Sequence, residues 1–270
     1  MNPIKFCKFH GFGNDYIVFE AADLRGIENL GDFAKQVCHR NTGIGGDGIA
    51  VLEKAENNAD FRCGIFNPDS SEAGFSGNGT RCAVAYLYYK DLWQEDSLKL
   101  QTKSGVKNYQ FLSRDGSTFY FLAELGKPHS ITNFDLQITN YKLPIISLEV
   151  GNPVAVIFVE DFDEIDWRAA GKELESHAQF PNRTNVVFVK ILDETNIEIR
   201  IWERGAGETS SSGTCSIAAA VASVFANKTS RNVAVHAEGG TTEAVWREDG
   251  EMLITGRADL AFCGEWFDEK

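Results

Sequence analysis

Two junctions in the sequence place a serine and a glycine just before an apolar segment. One is Ser76-Gly77-Asn78-Gly79-Thr80 and the other is Ser212-Gly213-Thr214. The free backbone N–H groups and the positive dipole end of a helix attract a carboxylate. Two such helix starts facing one cleft would bind one carboxylate and leave their serines on opposite sides of the ligand's α-carbon. This arrangement suits the movement of a proton between the two faces of an amino acid.

The similarity of the two junctions, half a chain length apart, favours an ancient internal duplication. We expect two similar lobes, each presenting the start of a buried helix to a shared cleft. Segment 217–225 is almost wholly Ala, Val, Ser and Phe, and a helix that is apolar all round is a buried one. Repetition alone is equally compatible with two unrelated buried helices that follow ordinary glycine loops.

Polar side chains elsewhere could orient the ammonium and carboxylate groups of such a ligand. The candidates in loops or at strand ends are Asn67, Asn78, Asn152 and Asn185, together with Glu203-Arg204. An asparagine taken alone is more often a turn residue. The set as a whole is better explained by a polar ligand.

A third glycine-rich stretch, Gly43-Ile44-Gly45-Gly46-Asp47-Gly48, matches the spacing of a dinucleotide-binding loop. That loop requires a strand before the glycines and a helix after them. Here a helix-like run precedes the glycines and a strand-like run follows them. The stretch therefore predicts a tight turn.

The composition excludes several classes of partner. The chain has 270 residues and is 43% apolar, enough for a substantial core in one large or two smaller domains. Its 39 acidic and 26 basic residues give a net charge of −13, and no basic run is present. We therefore expect no nucleic-acid or anionic-lipid partner. The first 19 residues mix charged and apolar types and predict neither a signal peptide nor a membrane span, so a cytoplasmic protein is expected.

The six cysteines and five histidines are scattered along the chain. There is no CxxC pair and no spacing typical of metal ligands. We expect reduced thiols rather than disulfides, and no metal site.

Hydrophobic periodicity places these residues on a mixture of strands and helices. Helical segments are predicted at 30–40, 82–93 and 216–226. Strands are predicted at 4–9, 16–20, 49–53, 61–67, 119–123, 146–150, 155–159, 185–191 and 197–202, with two or three more in 243–267. In each half, strands lead into a polar glycine-rich loop and then into an apolar helix.

Beyond these patterns, the chain resembles the diaminopimelate epimerase family along nearly its whole length. The resemblance rests on an ordered set of motifs: Lys8-Phe9-His10-Gly11-Phe12-Gly13-Asn14-Asp15, the glycines of 43–48, Phe66-Asn67-Pro68-Asp69 through Ser71-Glu72, Gly77-Asn78-Gly79-Thr80-Arg81-Cys82, Gly151-Asn152-Pro153, Asn185-Val186, and Glu203-Arg204-Gly205-Ala206-Gly207-Glu208-Thr209 followed by Gly213-Thr214. The last motif is highly specific.

The resemblance implies an α/β (α+β) fold of two pseudo-symmetric lobes, each a curved, mainly antiparallel sheet wrapped around a central helix. We expect an N-terminal lobe of residues 1–115 and 261–270 and a C-terminal lobe of residues 116–260. The resemblance also implies interconversion of LL- and meso-diaminopimelate, on the lysine and cell-wall route, without pyridoxal phosphate or any other cofactor.

The resemblance assigns two groups of substrate-binding residues. The pocket would be lined by Asn14, Asn67, Asn152, Asn185, Glu203 and Arg204. Helix-terminal N–H groups would be offered to the α-carboxylate by Gly77, Asn78, Gly213 and Thr214. Glu203 and Arg204 would also fit the distal amino acid end of the substrate or the catalytic shell.

Three positions depart from the family pattern. The family has a cysteine before each glycine-rich helix start, one removing the α-proton as a thiolate and the other delivering a proton as a thiol. Ser76 and Ser212 occupy these positions, and Val154 occupies that of a histidine after Gly-Asn-Pro. The pKa of a hydroxyl lies about seven units above the thiol value of about 8.5, which makes the anionic base harder to form by a free energy on the order of 10 kcal/mol. A neighbouring base can still activate a serine, so Ser76, Ser212 and Glu203 are the catalytic candidates.

Another thiol could stand in for the missing sulfurs. Cys215 lies three residues beyond Ser212, about 4.5 Å further along a helix, and Cys82 lies six residues beyond Ser76. Both are expected to be packing residues.

Three functions remain open. The first is an amino-acid epimerase or racemase with Ser76 and Ser212 in the catalytic positions. The second is a non-catalytic homologue that binds an amino acid. The third is an isomerase that uses Glu203 or Glu208 as its one base. In each case the expected partner is a small amino acid, and a homodimer is considered for the assembly.

Overall fold

The computed structural model describes residues 3–56 and 58–267. The chain forms two compact units, one of Met1–Ala123 with Gly256–Lys270 and the other of Glu124–Thr255. The backbone passes from one unit to the other within two strands, β8 (Thr118–Gly126) and β17 (Met252–Trp266). The first unit is therefore completed by the last residues of the chain.

The described part of the first unit contains seven further strands and two α-helices. They are β1 (Ile4–Gly11), β2 (Asn14–Glu20), α1 (Leu30–Val37), β3 (Gly48–Lys54), β4 (Phe61–Phe66), β5 (Glu72–Ala73), α2 (Gly77–Tyr89), β6 (Ser97–Thr102) and β7 (Gly105–Asp115). Strand β2 pairs antiparallel with β1 and parallel with β3. Strand β4 pairs antiparallel with β3 and β5 and parallel with β6, which forms a hairpin with β7.

The second unit repeats this order of elements. After β9 (His129–Gln137) come β10 (Lys142–Glu149), β11 (Pro153–Phe158), α3 (Trp167–Glu175), β12 (Asn185–Ile191), β13 (Asn196–Glu203), β14 (Gly207–Thr209), α4 (Gly213–Phe225), β15 (Asn232–Ala237) and β16 (Gly240–Trp246). The pairing also repeats: β11 with β12 and β13 with β15 are parallel, and the other neighbours are antiparallel. Two similar lobes of α+β type are therefore confirmed.

Each unit has one helix that is buried over nearly its whole length. Residues 77–87 of α2 and 213–223 of α4 are all buried. Helix α2 packs against β1 to β4, and α4 packs against β10 to β13, β15 and β16. The other two helices are amphipathic and bury one stripe each: Phe33 and Val37 of α1, and Trp167 and Leu174 of α3. The main strands of each unit thus pack against a central helix, as the resemblance implied.

Both central helices begin earlier than the hydrophobic periodicity predicted. Helix α2 begins at Gly77 rather than residue 82, and α4 begins at Gly213 rather than residue 216. The first turns hold glycine, asparagine and threonine, which do not register as apolar although they are buried. Helix α1 likewise ends at Val37 rather than residue 40.

The glycine-rich stretch 43–48 lies between α1 and β3. A helix precedes it and a strand follows it, the reverse of what a dinucleotide-binding loop requires. The interpretation as a turn is confirmed.

Two cysteines form a disulfide, Cys7 of β1 with Cys263 of β17, whose Cα atoms are 4.0 Å apart. The two residues face each other in the antiparallel pairing of these strands. The expectation of reduced thiols is wrong for this pair, because no local spacing shows that the first and last strands are neighbours. Within the described chain the free cysteines are Cys38, Cys63, Cys82 and Cys215, all of them buried.

In the described residues, no helix combines the length and apolar character needed to cross a membrane.

Candidate functional site

In the second unit, the start of α4 brings a serine and a glutamate together. Ser212 is the N-cap residue, and its carbonyl accepts the first helical hydrogen bond from Ser216 N at 2.9 Å. Its side chain makes no capping bond. Instead, Ser212 Oγ donates to Glu203 Oε1 at 2.5 Å, and it lies 3.4 Å from Thr214 Oγ1. The hydroxyl proton of this 5% exposed serine therefore points at a carboxylate.

Glu203 owes its position to the turn between β13 and β14. It is the last residue of β13 and pairs with Gly207 across the turn. The next residue, Arg204, donates its backbone N–H to Asn185 Oδ1 at 2.9 Å, and its guanidinium donates to Asn182 O at 3.0 Å. Four of the predicted residues, Ser212, Glu203, Arg204 and Asn185, thus form one connected cluster.

This cluster has the parts of an acid–base site. A short hydrogen bond from a hydroxyl to a carboxylate places a proton acceptor directly beside the hydroxyl oxygen, so the carboxylate can take the serine proton. The first N–H groups of a helix have no partner inside the helix. Those of Gly213 and Thr214 belong to the same first turn and suit an anionic carboxylate.

The first unit uses its serine differently. Ser76 Oγ accepts a hydrogen bond from Gly79 N at 3.1 Å and so caps α2. It also shares a hydrogen bond with Tyr16 Oη at 2.9 Å. Ser76 therefore has a hydroxyl neighbour where Ser212 has a carboxylate.

Tyr16 contacts the candidate residue Ser76, and the sequence did not single it out. Its ring is 6% exposed and lies against the start of α2. A Cβ atom on Gly79 would lie 2.7 Å from Tyr16 Cε1, and one on Gly48 would lie 2.8 Å from the same atom. Glycine at these two positions is therefore what admits the ring. Gly48 and Gly79, which belong to two separate glycine-rich motifs, were the sequence signal that could have indicated this packing.

A chain of hydrogen bonds fixes the asparagines of the first unit. Arg81 Nη1 donates to Asn78 Oδ1 at 2.9 Å, Asn78 Nδ2 donates to Asn14 Oδ1 at 3.2 Å, and Asn14 Nδ2 donates to Asp47 Oδ2 at 2.8 Å. Arg81 is 1% exposed, and burial lowers the pKa of its guanidinium. Asn14 and Asn78 are thus brought together as predicted, with Asp47 and Arg81 as the residues that orient them.

Asn67 and Asn152 are the two candidates whose described contacts remain local. Asn67 Nδ2 donates to Ser71 Oγ at 3.0 Å, and Asn152 O accepts from Val150 N at 3.1 Å. Both residues serve turns in the structure. Their assignment to a substrate pocket stays a prediction.

The substituted position Val154 is fully buried on β11, where it pairs with Asn185 of β12. It therefore lies beside the Asn185–Arg204 contact and offers no group that exchanges a proton.

The thiols of Cys215 and Cys82 are poorly suited to proton transfer. Burial raises the pKa of Cys215, and the charge of Glu203 raises it further. Burial likewise raises the pKa of Cys82. Both side chains are completely buried, which confirms them as packing residues.

Glu208 is already engaged as an ion-pair partner. Its two carboxylate oxygens accept from Arg168 Nε at 2.7 Å and Nη2 at 2.6 Å. These hydrogen bonds lower the pKa of Glu208. Glu208 is therefore held as the partner of Arg168. No group of His, Cys, Asp or Glu in residues 3–56 and 58–267 is arranged to hold a metal ion.

The match to known proteins decides the family. A model described as diaminopimelate epimerase matches residues 6–129 and 146–261. The diaminopimelate epimerase of Pelotomaculum thermopropionicum is 34% identical over 275 residues, which cover 97% of this chain and 98% of the relative. That of Halothermothrix orenii is 35% identical and covers 97% of both chains. This chain belongs to the diaminopimelate epimerase family.

More distant solved structures share the diaminopimelate epimerase fold. A hydroxyproline epimerase from Agrobacterium vitis has a TM-score of 0.74 at 15% identity and covers 98% of this chain and 92% of its own. A PhzF-family phenazine biosynthesis protein from Bacillus anthracis has a TM-score of 0.75 at 17% identity, with coverage of 99% and 100%. At these identities the likeness concerns the fold alone.

Proposed function

We propose that this chain is a cofactor-independent isomerase that exchanges the α-proton of an amino acid, with Glu203 as the base and Ser212 as its relay. The observation that carries the proposal is the 2.5 Å hydrogen bond from Ser212 Oγ to Glu203 Oε1. The base is a carboxylate, so the reaction does not need a free serine alkoxide to accumulate.

The proposed step balances as follows. The substrate Cα–H bond breaks, its proton passes to Ser212 Oγ, and the Ser212 hydroxyl proton passes to Glu203. The electron pair of the broken bond moves into the substrate carboxylate, where the first-turn N–H groups of α4 stabilise the developing charge. Reprotonation of the α-carbon completes exchange, and it completes inversion when the proton arrives on the opposite face.

Diaminopimelate is the first substrate to test. The relatives with about one third identity are named diaminopimelate epimerases, and Arg204, next to the proposed base, supplies an exposed cation suited to a second carboxylate. Carboxylates are weaker bases than thiolates. We therefore expect slower turnover than a pair of catalytic cysteines would give.

The decisive experiment measures solvent deuterium incorporation at the α-carbon. LL- and meso-diaminopimelate and a panel of common amino acids are incubated with the protein in D2O and followed by proton NMR. Glu203→Gln should lower the exchange rate by about 10³-fold, within the range for loss of a general base. The matched control is Glu198→Gln on the same strand, which loses a 2.9 Å ion pair with Arg200 and should change the rate less than about twofold. Absence of exchange with every amino acid would refute the proposal and leave a ligand-binding role.

A second candidate function is an isomerase that uses Glu203 as its one base. The observation that favours it is the engagement of Ser76 as a helix cap. In that case exchange would occur on one stereoisomer without inversion, and Ser76→Ala would leave exchange intact. Chiral chromatography of the exchanged substrate separates the two candidates.

A further inference from the structure

A buried carboxylate behind the β13–β14 turn is not part of the cluster described above. Glu175 is the last residue of α3 and is 6% exposed. Its Oε1 accepts from Gly205 N at 2.7 Å and pairs with Arg183 Nη2, and its Oε2 accepts from Trp202 Nε1 at 2.9 Å. One carboxylate thus collects three donors from two separate segments of the chain.

The donors lie on both sides of the proposed base. Trp202 immediately precedes Glu203, and Gly205 follows it by two residues. Trp202 itself has little room to move, because a Cβ atom on Gly171 of α3 would lie 2.8 Å from Trp202 Cβ. Glu175 and α3 therefore fix the backbone that presents Glu203 to Ser212.

The same residue also ties down the segment that leads to Asn185. Its backbone carbonyl accepts from Thr184 N at 3.1 Å. Arg183 adopts a left-handed φ of 59°, and its guanidinium is held by the Glu175 carboxylate. The two segments that meet at the Asn185–Arg204 hydrogen bond are thus both anchored on one side chain.

We infer that Glu175 is a positioning residue for the base, an inference that rests on the proposed function. Glu175 acts through the turn and does not contact the reacting atoms. Arg204 has its own contacts with Asn185 and Asn182, whereas the Trp202 indole before Glu203 and the Gly205 backbone N–H after it both donate to Glu175. Loss of Glu175 should therefore lower kcat and leave KM nearly unchanged.

The first measurement needs no activity. Amide hydrogen exchange of Gly205, followed by NMR in deuterated ¹⁵N-labelled protein, should accelerate about tenfold in Glu175→Gln, because the charged acceptor becomes neutral. The matched control is Arg168→Gln, which breaks an exposed ion pair between α3 and β14. It should leave Gly205 exchange unchanged. Fast exchange in the unaltered protein, or equal exchange in Glu175→Gln, would overturn the inference.

The second measurement is kinetic. Glu175→Gln should lower kcat about tenfold and Glu175→Ala about 10²-fold, since displacement of a catalytic group by about 1 Å costs that much. Trp202→Phe removes one hydrogen-bond donor to Glu175 and keeps an aromatic ring, so it should lower kcat less than Glu175→Gln does. This variant replaces Glu175→Gln in the test if Glu175→Gln does not fold. An unchanged kcat, or a rise in KM equal to the fall in kcat, would remove the positioning role and leave the proposed function standing. If the unaltered protein shows no α-proton exchange, the proposed function fails, and Gly205 exchange alone decides whether Glu175 holds the turn.

Discussion

The two central helices begin with the same serine–glycine pair but use the serine in opposite ways. The Ser76 hydroxyl oxygen caps its helix by accepting a hydrogen bond from Gly79 N, and it shares a second hydrogen bond with the Tyr16 hydroxyl. The Ser212 side chain makes no capping bond and instead donates a hydrogen bond to the Glu203 carboxylate. The repeated order of strands and helices therefore fixes where a serine lies, and the neighbouring side chain decides what that serine can do.

The two units also differ in covalent support. The Cys7–Cys263 disulfide lies wholly within the unit that carries Ser76. In the described part of the second unit the cysteine is Cys215, and it is free. Stability of the two helix starts should therefore respond differently to reduction.

The largest expected effect comes from breaking that disulfide. Cys7→Ser with Cys263→Ser should lower the free energy of unfolding of the first unit by about 3 kcal/mol, as is usual for a disulfide that closes a long loop. Amide hydrogen exchange should show lost protection in β1, β2 and α2 and little change in β12, β13 and α4. Reductant should reproduce the effect in the unaltered protein and have none in the double variant. Equal loss in both units would show that they unfold together.

A smaller effect should separate the two serines. Ser76→Ala removes a side-chain cap and should cost about 1 kcal/mol of stability. Ser212→Ala removes no cap, so its midpoint in urea should shift by less than half as much. Denaturation curves of both variants, with Ser216→Ala as a control inside the first turn of α4, test this. A larger loss for Ser212→Ala would mean that its bond to Glu203 stabilises the fold.

The smallest effect is expected from restoring sulfur. The variant with Ser76→Cys and Ser212→Cys should change α-proton exchange of diaminopimelate by less than about tenfold, because the buried Val154 beside Asn185 still offers no group that exchanges a proton. Adding Val154→His to the double variant is the informative comparison. Robust epimerisation by the double variant without Val154→His would show that two thiols are sufficient for activity and that residue 154 need not exchange a proton.

The sequence predicted the two loop-to-helix junctions and many of the strands, because glycine-rich loops before apolar runs are local signals. Hydrophobic periodicity placed the first residues of both helices too late, because the first turns are not apolar. The sequence analysis singled out Ser212 and Glu203 but could not predict that their side chains contact each other, since this contact depends on how the β13–β14 turn folds back. It missed the strands β5, β6, β7, β9, β14 and β15. The residues of β9, for example, are mostly exposed and show no clean alternation. It also missed α3, a short helix with Gly171 in its middle.

The residues that orient the site were harder to find than those that form it. Tyr16 and Glu175 are separated in sequence from the groups they contact, by 60 and 30 positions. A tyrosine in a strand and a glutamate at a helix end have no distinctive local pattern. Their roles follow only from tertiary packing, as does the pairing of Cys7 with Cys263.

The closing of the first unit by strand β17 has a consequence for biosynthesis. A ribosome delivers every residue of the second unit before it delivers Gly256–Lys270, which belong to the first. The second unit can therefore mature on the nascent chain, whereas the first must wait with β1 unpaired on one side until β17 has been made. The part that emerges first is thus the part that is completed last.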